Sequence, residues 1–287
     1  MTHKLLALFG LKWNPFSADL PVDALWRSPK IEHFCWRMES LAREGGFALI
    51  TGDPGTGKSA ALRLLAHHLA TLPDVVTGAL TRPQSGLADF YREMGHLFGV
   101  ALKPHNRWAG FKILRDAWIT HVEATRCRPV LLIDEAQEMP AGVLAELRIL
   151  ASTDFDSRSI LTVVLAGDGR LTEQFRGDEL LPIASRIRVR LNLDYLAPKE
   201  LLDWLHHILT EAGQPQLMTP ELKTTLAEHA AGNLRVLSSM ADELLALAAR
   251  RELTHLDQKL YFELFATQMQ STRGKTRAAA SVAHHRT

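Results

Sequence analysis

The amino-acid sequence predicts a three-layer α/β fold with a parallel sheet, followed by a small all-helical domain. Three observations support this prediction. Short apolar runs alternate with stretches of helical periodicity as far as Leu196. A glycine-rich segment stands between the first apolar run and the helix that follows it. Beyond Leu196 only helical periodicity remains, and no further buried strand is predicted.

The predicted strands are short runs rich in β-forming residues, and the one before Asp134 lacks polar alternation, as is typical of parallel strands covered on both faces. They span residues 47–51, 75–80, 129–133, 159–166 and 187–191. In the α/β part, we predict helices at residues 29–44, 60–70, 86–98, 107–125 and 144–151. In the C-terminal domain, the predicted helices are 198–212, 220–230, 234–250 and 256–268.

The glycine-rich segment matches the phosphate-binding loop pattern G-x-x-x-x-G-K-S/T at every fixed position. Glycines let backbone N–H groups turn inward around phosphates, and the next helix adds its positive N-terminal dipole. We predict that Lys58 reaches the β- and γ-phosphates and that the Ser59 hydroxyl binds Mg²⁺. A structural glycine turn is the alternative, which the strand–loop–helix context disfavours. The predicted ATP site comprises Gly52, Asp53, Pro54, Gly55, Thr56, Gly57, Lys58 and Ser59.

Two acids, Asp134 and Glu135, follow the most apolar predicted strand. They stand at its carboxyl end, where open α/β sheets bind their ligands. In nucleotide hydrolysis the first acid holds Mg²⁺, and the second orients the attacking water. An ordinary solvated strand end is the alternative, but the position about 75 residues after the phosphate loop favours the catalytic interpretation. The sequence therefore predicts Mg²⁺-dependent ATP hydrolysis.

Composition limits the classes of partner and compartment. The formal net charge is +1, so any nucleic-acid binding must come from a local patch. The two cysteines lie far apart without metal-ligand spacing, which indicates a reducing compartment.

Adjacent histidine pairs point to different helix faces, so we predict no metal other than Mg²⁺. Without a membrane-length apolar run or a signal-peptide cleavage site, we expect a soluble cytoplasmic protein.

Taken together, the layout resembles the AAA+ ATPases, and more narrowly the branch of the transposition ATPases TnsC, TniB and MuB and the ATPase domain of ExeA. The resemblance covers about residues 8–268. It implies a P-loop AAA+ domain at 31–195 and a helical lid at 196–269. An N-terminal segment, 1–30, is expected near the nucleotide, and 270–287 is expected to be a disordered basic tail. The narrower match rests on the segments 14–16, 132–137, 165–171, 185–187 and 196–201.

Three further roles follow from the resemblance. Arg186 resembles the arginine finger that acts on ATP bound by a neighbouring subunit, although a surface arginine is the alternative. Arg235 resembles the lid sensor of the γ-phosphate. Asp168 occupies roughly the first sensor position, where the family usually has an uncharged polar residue. A carboxylate beside a phosphate is electrostatically awkward, so Thr162 or a water-mediated contact is the alternative there.

The resemblance also implies partners. Family members form rings or helical filaments around double-stranded DNA, so we expect a homo-oligomer without a membrane partner. Candidate DNA contacts lie between the second and third strands, at Lys103, Arg107 and Lys112, where they would contact phosphates. A solvated helix face is the alternative, because nearby acids dilute the positive charge.

The implied function is an ATP-dependent DNA-binding regulator of transposition. It would oligomerise on target DNA and recruit or activate a transposase, with a target-selector protein as a further candidate partner. Hydrolysis would drive disassembly. Three alternatives remain: an ExeA-like secretion or envelope ATPase without its membrane and peptidoglycan-binding parts, an initiator or clamp-loader-like ATPase, and a nucleotide-switch scaffold with negligible turnover.

Overall fold

The computed structural model describes residues 2–99, 107–153 and 157–265, except that side chains are not described for 2–4 and 107–109. The chain divides into two compact units. One unit is Arg27–Asp194, and the other combines the residues before Arg27 with those after Asp194. The expected N-terminal segment therefore clusters, up to Trp26, with the C-terminal helices, and its proximity to a nucleotide stays a prediction.

The unit Arg27–Asp194 is built on a parallel five-stranded sheet, which confirms the predicted fold class. The strand order is β2-β3-β6-β1-β7, and the remaining two strands form a separate antiparallel pair. The strands are β1 (Gly46–Gly52), β2 (Val75–Leu80), β3 (Arg128–Ile133), β4 (Ser152–Thr153), β5 (Arg158–Ser159), β6 (Thr162–Gly167) and β7 (Ile187–Leu193).

Burial along the strands follows their position in the sheet. The central strand β6 is buried at every residue, and β3 is buried except at its first residue. The edge strand β7 alternates strictly between buried and exposed residues, because only one of its faces is covered. Arg188 and Arg190 are on its exposed face. The continuous apolar runs of the sequence therefore mark the interior of the sheet, and the alternating run marks its edge.

Helices surround this sheet. The first of them begins where the Ser28 hydroxyl accepts a hydrogen bond from the Ile31 N–H, with Pro29 at the first helical position. Two of the helices, with six and four residues, were not predicted. In chain order, the helices of this unit are α2 (Pro29–Glu44), α3 (Lys58–Ala70), α4 (Leu87–Leu97), α5 (Arg107–Thr125), α6 (Ala141–Ala151), α7 (Gly169–Gln174) and α8 (Leu181–Ala184).

The second unit is helical in its described part, as predicted for the C-terminal region. It contains α1 (Thr2–Phe9), α9 (Pro198–Glu211), α10 (Pro220–Ala230), α11 (Leu234–Arg250) and a last helix over 258–265. The Asn14 amide donates to Asp242 Oδ1 at 2.7 Å, and its side-chain oxygen accepts from the Phe16 N–H at 3.0 Å. The Asn-Pro-Phe segment is thereby fastened to α11. None of the helices in the described ranges is long and apolar enough to cross a membrane.

Two predictions about elements need correction or lie outside the described residues. The predicted strand 159–166 is divided: Arg158–Ser159 pairs antiparallel with Ser152–Thr153, and only Thr162–Gly167 joins the main sheet. The predicted basic tail, 270–287, lies outside the described residues.

Candidate nucleotide-binding and hydrolysis site

The predicted site residues meet at one edge of the sheet. The phosphate loop follows β1, the acids Asp134 and Glu135 follow β3, and Asp168 follows β6. All three strands are parallel, and β6 lies between β1 and β3. Asp168 therefore stands between the phosphate loop and the two acids. The carboxyl edge of a parallel sheet is where such folds bind ligands.

The phosphate loop has the backbone conformation that anion binding requires. Gly55 and Gly57 have φ angles of 90° and 98°, a region that residues with a Cβ rarely adopt. The Thr56 hydroxyl donates to the Asp53 carbonyl at 2.9 Å and closes the turn. Helix α3 begins directly afterwards, at Lys58, so its free N–H groups and positive dipole face the loop.

Lys58 is held inside the loop although it carries a charge. The residue is only 7% exposed, and its ammonium donates to the carbonyls of Gly52, at 2.9 Å, and Asp53, at 3.1 Å. A buried ammonium without a carboxylate partner is costly unless carbonyls or an anion satisfy its donors. This arrangement fits a phosphate as the further partner of Lys58.

Gly52 offers a test of the loop geometry. A Cβ at this position would lie 2.5 Å from both the Leu193 carbonyl oxygen and the Thr56 hydroxyl. Because one of these is backbone, the loop must shift, and we expect Gly52→Ala to weaken ATP binding by at least about tenfold, or about 1.4 kcal/mol.

The matched control is Gly142→Ala, a helical position where a Cβ meets nothing within 4 Å. This variant should bind ATP normally and be neutral or more stable by up to about 1 kcal/mol. Calorimetric titration with a slowly hydrolysed ATP analogue compares the two. Equal affinities would contradict the assigned role of the Gly52 contact.

The two acids after β3 are arranged differently from each other. Asp134 is partly buried, and its Oδ1 accepts from the Glu135 N–H at 2.9 Å. Glu135 is exposed and has φ 51° and ψ 40°, a left-handed conformation that costs a non-glycine residue about 1–2 kcal/mol. Strain of this kind concentrates at functional sites. Both carboxylates line an open cleft of about 520 Å³, together with Thr81, Gln84 and Glu138.

The donor set fits Mg²⁺. Ser59 is exposed in the first turn of α3, and Asp134 stands at the end of β3. A hydroxyl and a carboxylate are hard oxygen ligands of the kind that Mg²⁺ prefers alongside phosphates and water. Their assignment as metal ligands stays a prediction.

The Asp168 carboxylate is already engaged. Its Oδ1 accepts from the Arg170 N–H at 2.9 Å and caps α7, and its Oδ2 accepts from the Arg170 guanidinium at 2.9 Å and 3.0 Å. The same guanidinium pairs with Glu138 at 2.9 Å. The Arg170 hydrogen bonds hold the pKa of Asp168 below its usual value, and the charge of Lys58 acts in the same direction. The electrostatic objection to an acid at this position is thus reduced by Arg170.

Thr162 is wrong as an alternative sensor. It is the first residue of β6 and lies fully buried at the amino end of that strand. Its hydroxyl is directed at the end of α2, with the Leu41 carbonyl oxygen at 3.2 Å. The predicted strand began three residues too early. Because Thr162 is the first residue of β6, it lies at the edge of the sheet opposite the phosphate loop.

Arg186 also lies at the edge away from its own loop. It directly precedes β7, where Ile187 is aligned with Phe47 and Leu193 with Gly52 in the neighbouring β1. Phe47 and Gly52 are five residues apart in an extended strand, which places them roughly 16 Å from each other. The Arg186 guanidinium donates to the Pro182 carbonyl. Within this unit, Arg186 therefore stands at the far end of the sheet from its own phosphate loop.

The remaining predicted residues lie elsewhere. Arg235 belongs to the other unit, in the first turn of α11, where Asn233 Oδ1 accepts from its N–H at 3.0 Å. Lys112 is exposed on α5, and Arg107 begins that helix. Lys103 lies outside the described residues. The roles predicted for these side chains stay predictions.

Comparison with known proteins agrees with this geometry. Residues 41–175 match the family model described as AAA domain. This segment is an AAA domain. With the parallel sheet and the phosphate loop, the match identifies residues 41–175 as the AAA domain of a P-loop ATPase.

One curated relative of this AAA+ ATPase is the general secretion pathway protein A of Aeromonas hydrophila. It is 31% identical over 248 residues, which cover 85% of this chain and 44% of the relative. The chain thus spans less than half the length of that protein. The predicted kinship with ExeA-type proteins agrees with this match.

Solved structures share the AAA+ fold. Cdc6p of Pyrobaculum aerophilum has a TM-score of 0.66 at 13% identity, covering 84% of this chain and 67% of its own. The Orc1 protein of Aeropyrum pernix, in complex with DNA, has a TM-score of 0.64 at 18% identity. The match covers 88% of this chain and 68% of the Orc1 chain. The Holliday-junction branch migration motor RuvB of Thermotoga maritima has a TM-score of 0.56 at 14% identity. The match covers 88% of this chain and 72% of the RuvB chain. At these identities the likeness concerns the fold.

Proposed function

We propose that this AAA+ ATPase is a DNA-binding regulator of transposition. It would assemble as a ring or filament on duplex DNA, recruit or activate a transposase, and disassemble on hydrolysis. The observation that carries the proposal is the position of Arg186, at the edge of the sheet opposite its own phosphate loop. As a finger, an arginine there would act only on ATP held by another copy, so the proposal requires an oligomer as the active form.

The proposed hydrolytic step uses residues at the other edge of the sheet. Lys58 and the loop N–H groups would hold the β- and γ-phosphates, with Ser59 and Asp134 as ligands of Mg²⁺. When bound, Mg²⁺ would neutralise charge on the phosphates. Glu135 would orient the attacking water from the cleft that it lines. Arg235 is proposed as the lid residue that senses the γ-phosphate.

DNA is proposed as the partner on two grounds. Two solved structures of similar fold, the Orc1 protein of Aeropyrum pernix and the Drosophila ORC, are complexes with DNA. In this chain, the candidate contacts are Lys112, exposed on α5, with Arg107 and Lys103 before it. Phosphate contacts by such residues would give salt-dependent binding without strong sequence preference.

A secretion-type function is the second candidate, because the 31% identity is to a general secretion pathway protein. The ATPase site would be the same in both cases. The two functions differ in what the oligomer assembles on, since DNA is required only by the transposition proposal. The response to DNA therefore separates them.

Electron microscopy with duplex DNA tests the proposal. With a slowly hydrolysed ATP analogue, we expect rings or filaments threaded by DNA, and without nucleotide we expect dispersed particles. Lys58→Ala is the matched control, because it removes the ammonium within the loop and should not assemble under either condition. Particles that stay monomeric with nucleotide and ignore DNA would contradict the proposal and leave an ATPase with a protein partner.

A further inference from the structure

Gln137 is a buried polar residue beside the hydrolytic acid, and none of the roles discussed above uses it. It lies in the short 3₁₀ turn Ala136–Glu138 that follows Glu135, and the residue is 5% exposed. Buried amides are kept in proteins where each polar atom has a partner. The partners of Gln137 therefore indicate what the residue does.

The Gln137 side chain connects two strand ends. Its Nε2 donates to Glu135 Oε2, and its Oε1 accepts from the Asp168 N–H at 3.2 Å. An amide presents donors on one side and an acceptor on the other, whereas a carboxylate only accepts and a backbone N–H only donates. If the amide were rotated by half a turn, its oxygen would face the Glu135 carboxylate and its NH₂ group would face the Asp168 N–H, so neither hydrogen bond could form. The two partners thus fix its orientation.

The surroundings are built to hold this side chain. A Cβ on Gly167 would lie 2.7 Å from Gln137 Oε1, so the amide occupies space that the missing side chain leaves at the end of β6. The Gln137 carbonyl accepts from Gln174 Nε2 at 3.1 Å, which ties the turn to α7. Gln137 is therefore fixed by β6 and α7, and Glu135 is fixed by Gln137.

We propose that Gln137 is a positioning residue for ATP hydrolysis. It holds one carboxylate oxygen of Glu135 and leaves the other to orient the attacking water. Glu135 is exposed, so without this bond its side chain would sample several rotamers. Fixing a catalytic group before the reaction removes that entropic cost from the barrier. The proposal rests on the ATPase activity alone and is independent of DNA or transposition.

The first test is Gln137→Glu, which keeps the shape of the side chain and the acceptor for the Asp168 N–H. It replaces the donor by a carboxylate that faces Glu135. We expect kcat for basal ATP turnover to fall by about 10–100-fold, the range seen when a group that orients a functional side chain is lost. KM and the affinity for an ATP analogue should change by less than about threefold, because Gln137 contacts Glu135 rather than the loop.

The matched control is Gln84→Glu, which makes the same amide-to-carboxylate change on the wall of the cleft that Glu135 lines, without removing a hydrogen bond of Gln137. It should retain kcat within about threefold of wild type. An equal loss in both variants would show that an added carboxylate, not the lost hydrogen bond, slows the reaction, and would overturn the proposal. An unchanged or raised kcat in Gln137→Glu would overturn it as well.

A second variant keeps the proposal testable if Gln137→Glu folds poorly. Gln137→Met removes the donor without adding charge and should show a similar loss of kcat. Combined with Glu135→Gln, it should cause no further loss in single-turnover hydrolysis, because residues that act as a unit are not additive. An independent loss in the double variant would mean that Gln137 acts through another group, which contradicts the proposal.

Discussion

Glu135→Gln is expected to abolish steady-state ATP turnover while ATP binding is retained. Glu135 lines the cleft at the carboxyl end of β3 and does not contribute to the phosphate loop. An amide has the same shape but is a far weaker base. Removal of a positioned base typically costs about 10²–10⁴-fold in rate, so we expect a loss of at least about 100-fold. Phosphate release measures turnover, and titration with ATP measures binding.

The control for this prediction is Lys58→Ala. Because the Lys58 ammonium lies inside the phosphate loop, its removal should weaken ATP binding as well as turnover. The pair therefore separates chemistry from binding. Turnover within about threefold of wild type in Glu135→Gln would refute its role, since that loss is far below the contribution of a catalytic base. Loss of ATP binding in the same variant would indicate that the side chain supports the loop instead.

The parts of the site that the sequence predicts are those encoded by contiguous residues. The loop 52–59 lies within a single strand–loop–helix unit, and Asp134 and Glu135 directly follow a buried strand. The loop and the two acids can each be recognised from consecutive residues, without knowledge of which strands are neighbours in the sheet. Helices Pro220–Ala230 and Leu234–Arg250 have the predicted bounds, because the side chains of Thr219 and Asn233 cap their first turns and local sequence encodes such caps.

The parts that the sequence does not predict depend on strand order or on very short elements. The bond from the Asp168 N–H to Gln137 exists because β6 lies next to β3, which no local pattern encodes. The Arg170 pair with Glu138 follows from the same adjacency, whereas the Arg170 pair with Asp168 is local, because the two residues are two positions apart. Helix α8 has four residues, too few for helical periodicity to be visible. The sequence signal available for this connection is the glutamine two residues after Glu135.

Arg186→Ala is expected to reduce ATP turnover by about 10³-fold or more, the effect typical of losing an arginine finger. Its binding of ATP should be nearly unchanged, because the residue lies at the other edge of the sheet from its own loop. Arg190→Ala is the matched control. Arg190 is exposed on β7, the strand that Arg186 directly precedes. Its guanidinium donates to the Ala184 carbonyl, as that of Arg186 does to the Pro182 carbonyl. The ATP turnover of Arg190→Ala should remain close to that of the wild type.

Mixing two inactive variants tests whether Arg186 acts on another copy. Glu135→Gln subunits are expected to hold ATP without hydrolysing it and keep Arg186, whereas Arg186→Ala subunits keep Glu135 and the loop. In a head-to-tail assembly mixed at random in equal amounts, a site with Glu135 meets an intact arginine at about a quarter of the interfaces. Turnover should therefore recover to about a quarter of the wild-type value. A mixture as inactive as its parts would place Arg186 outside the neighbouring site and remove the main support for an obligate oligomer.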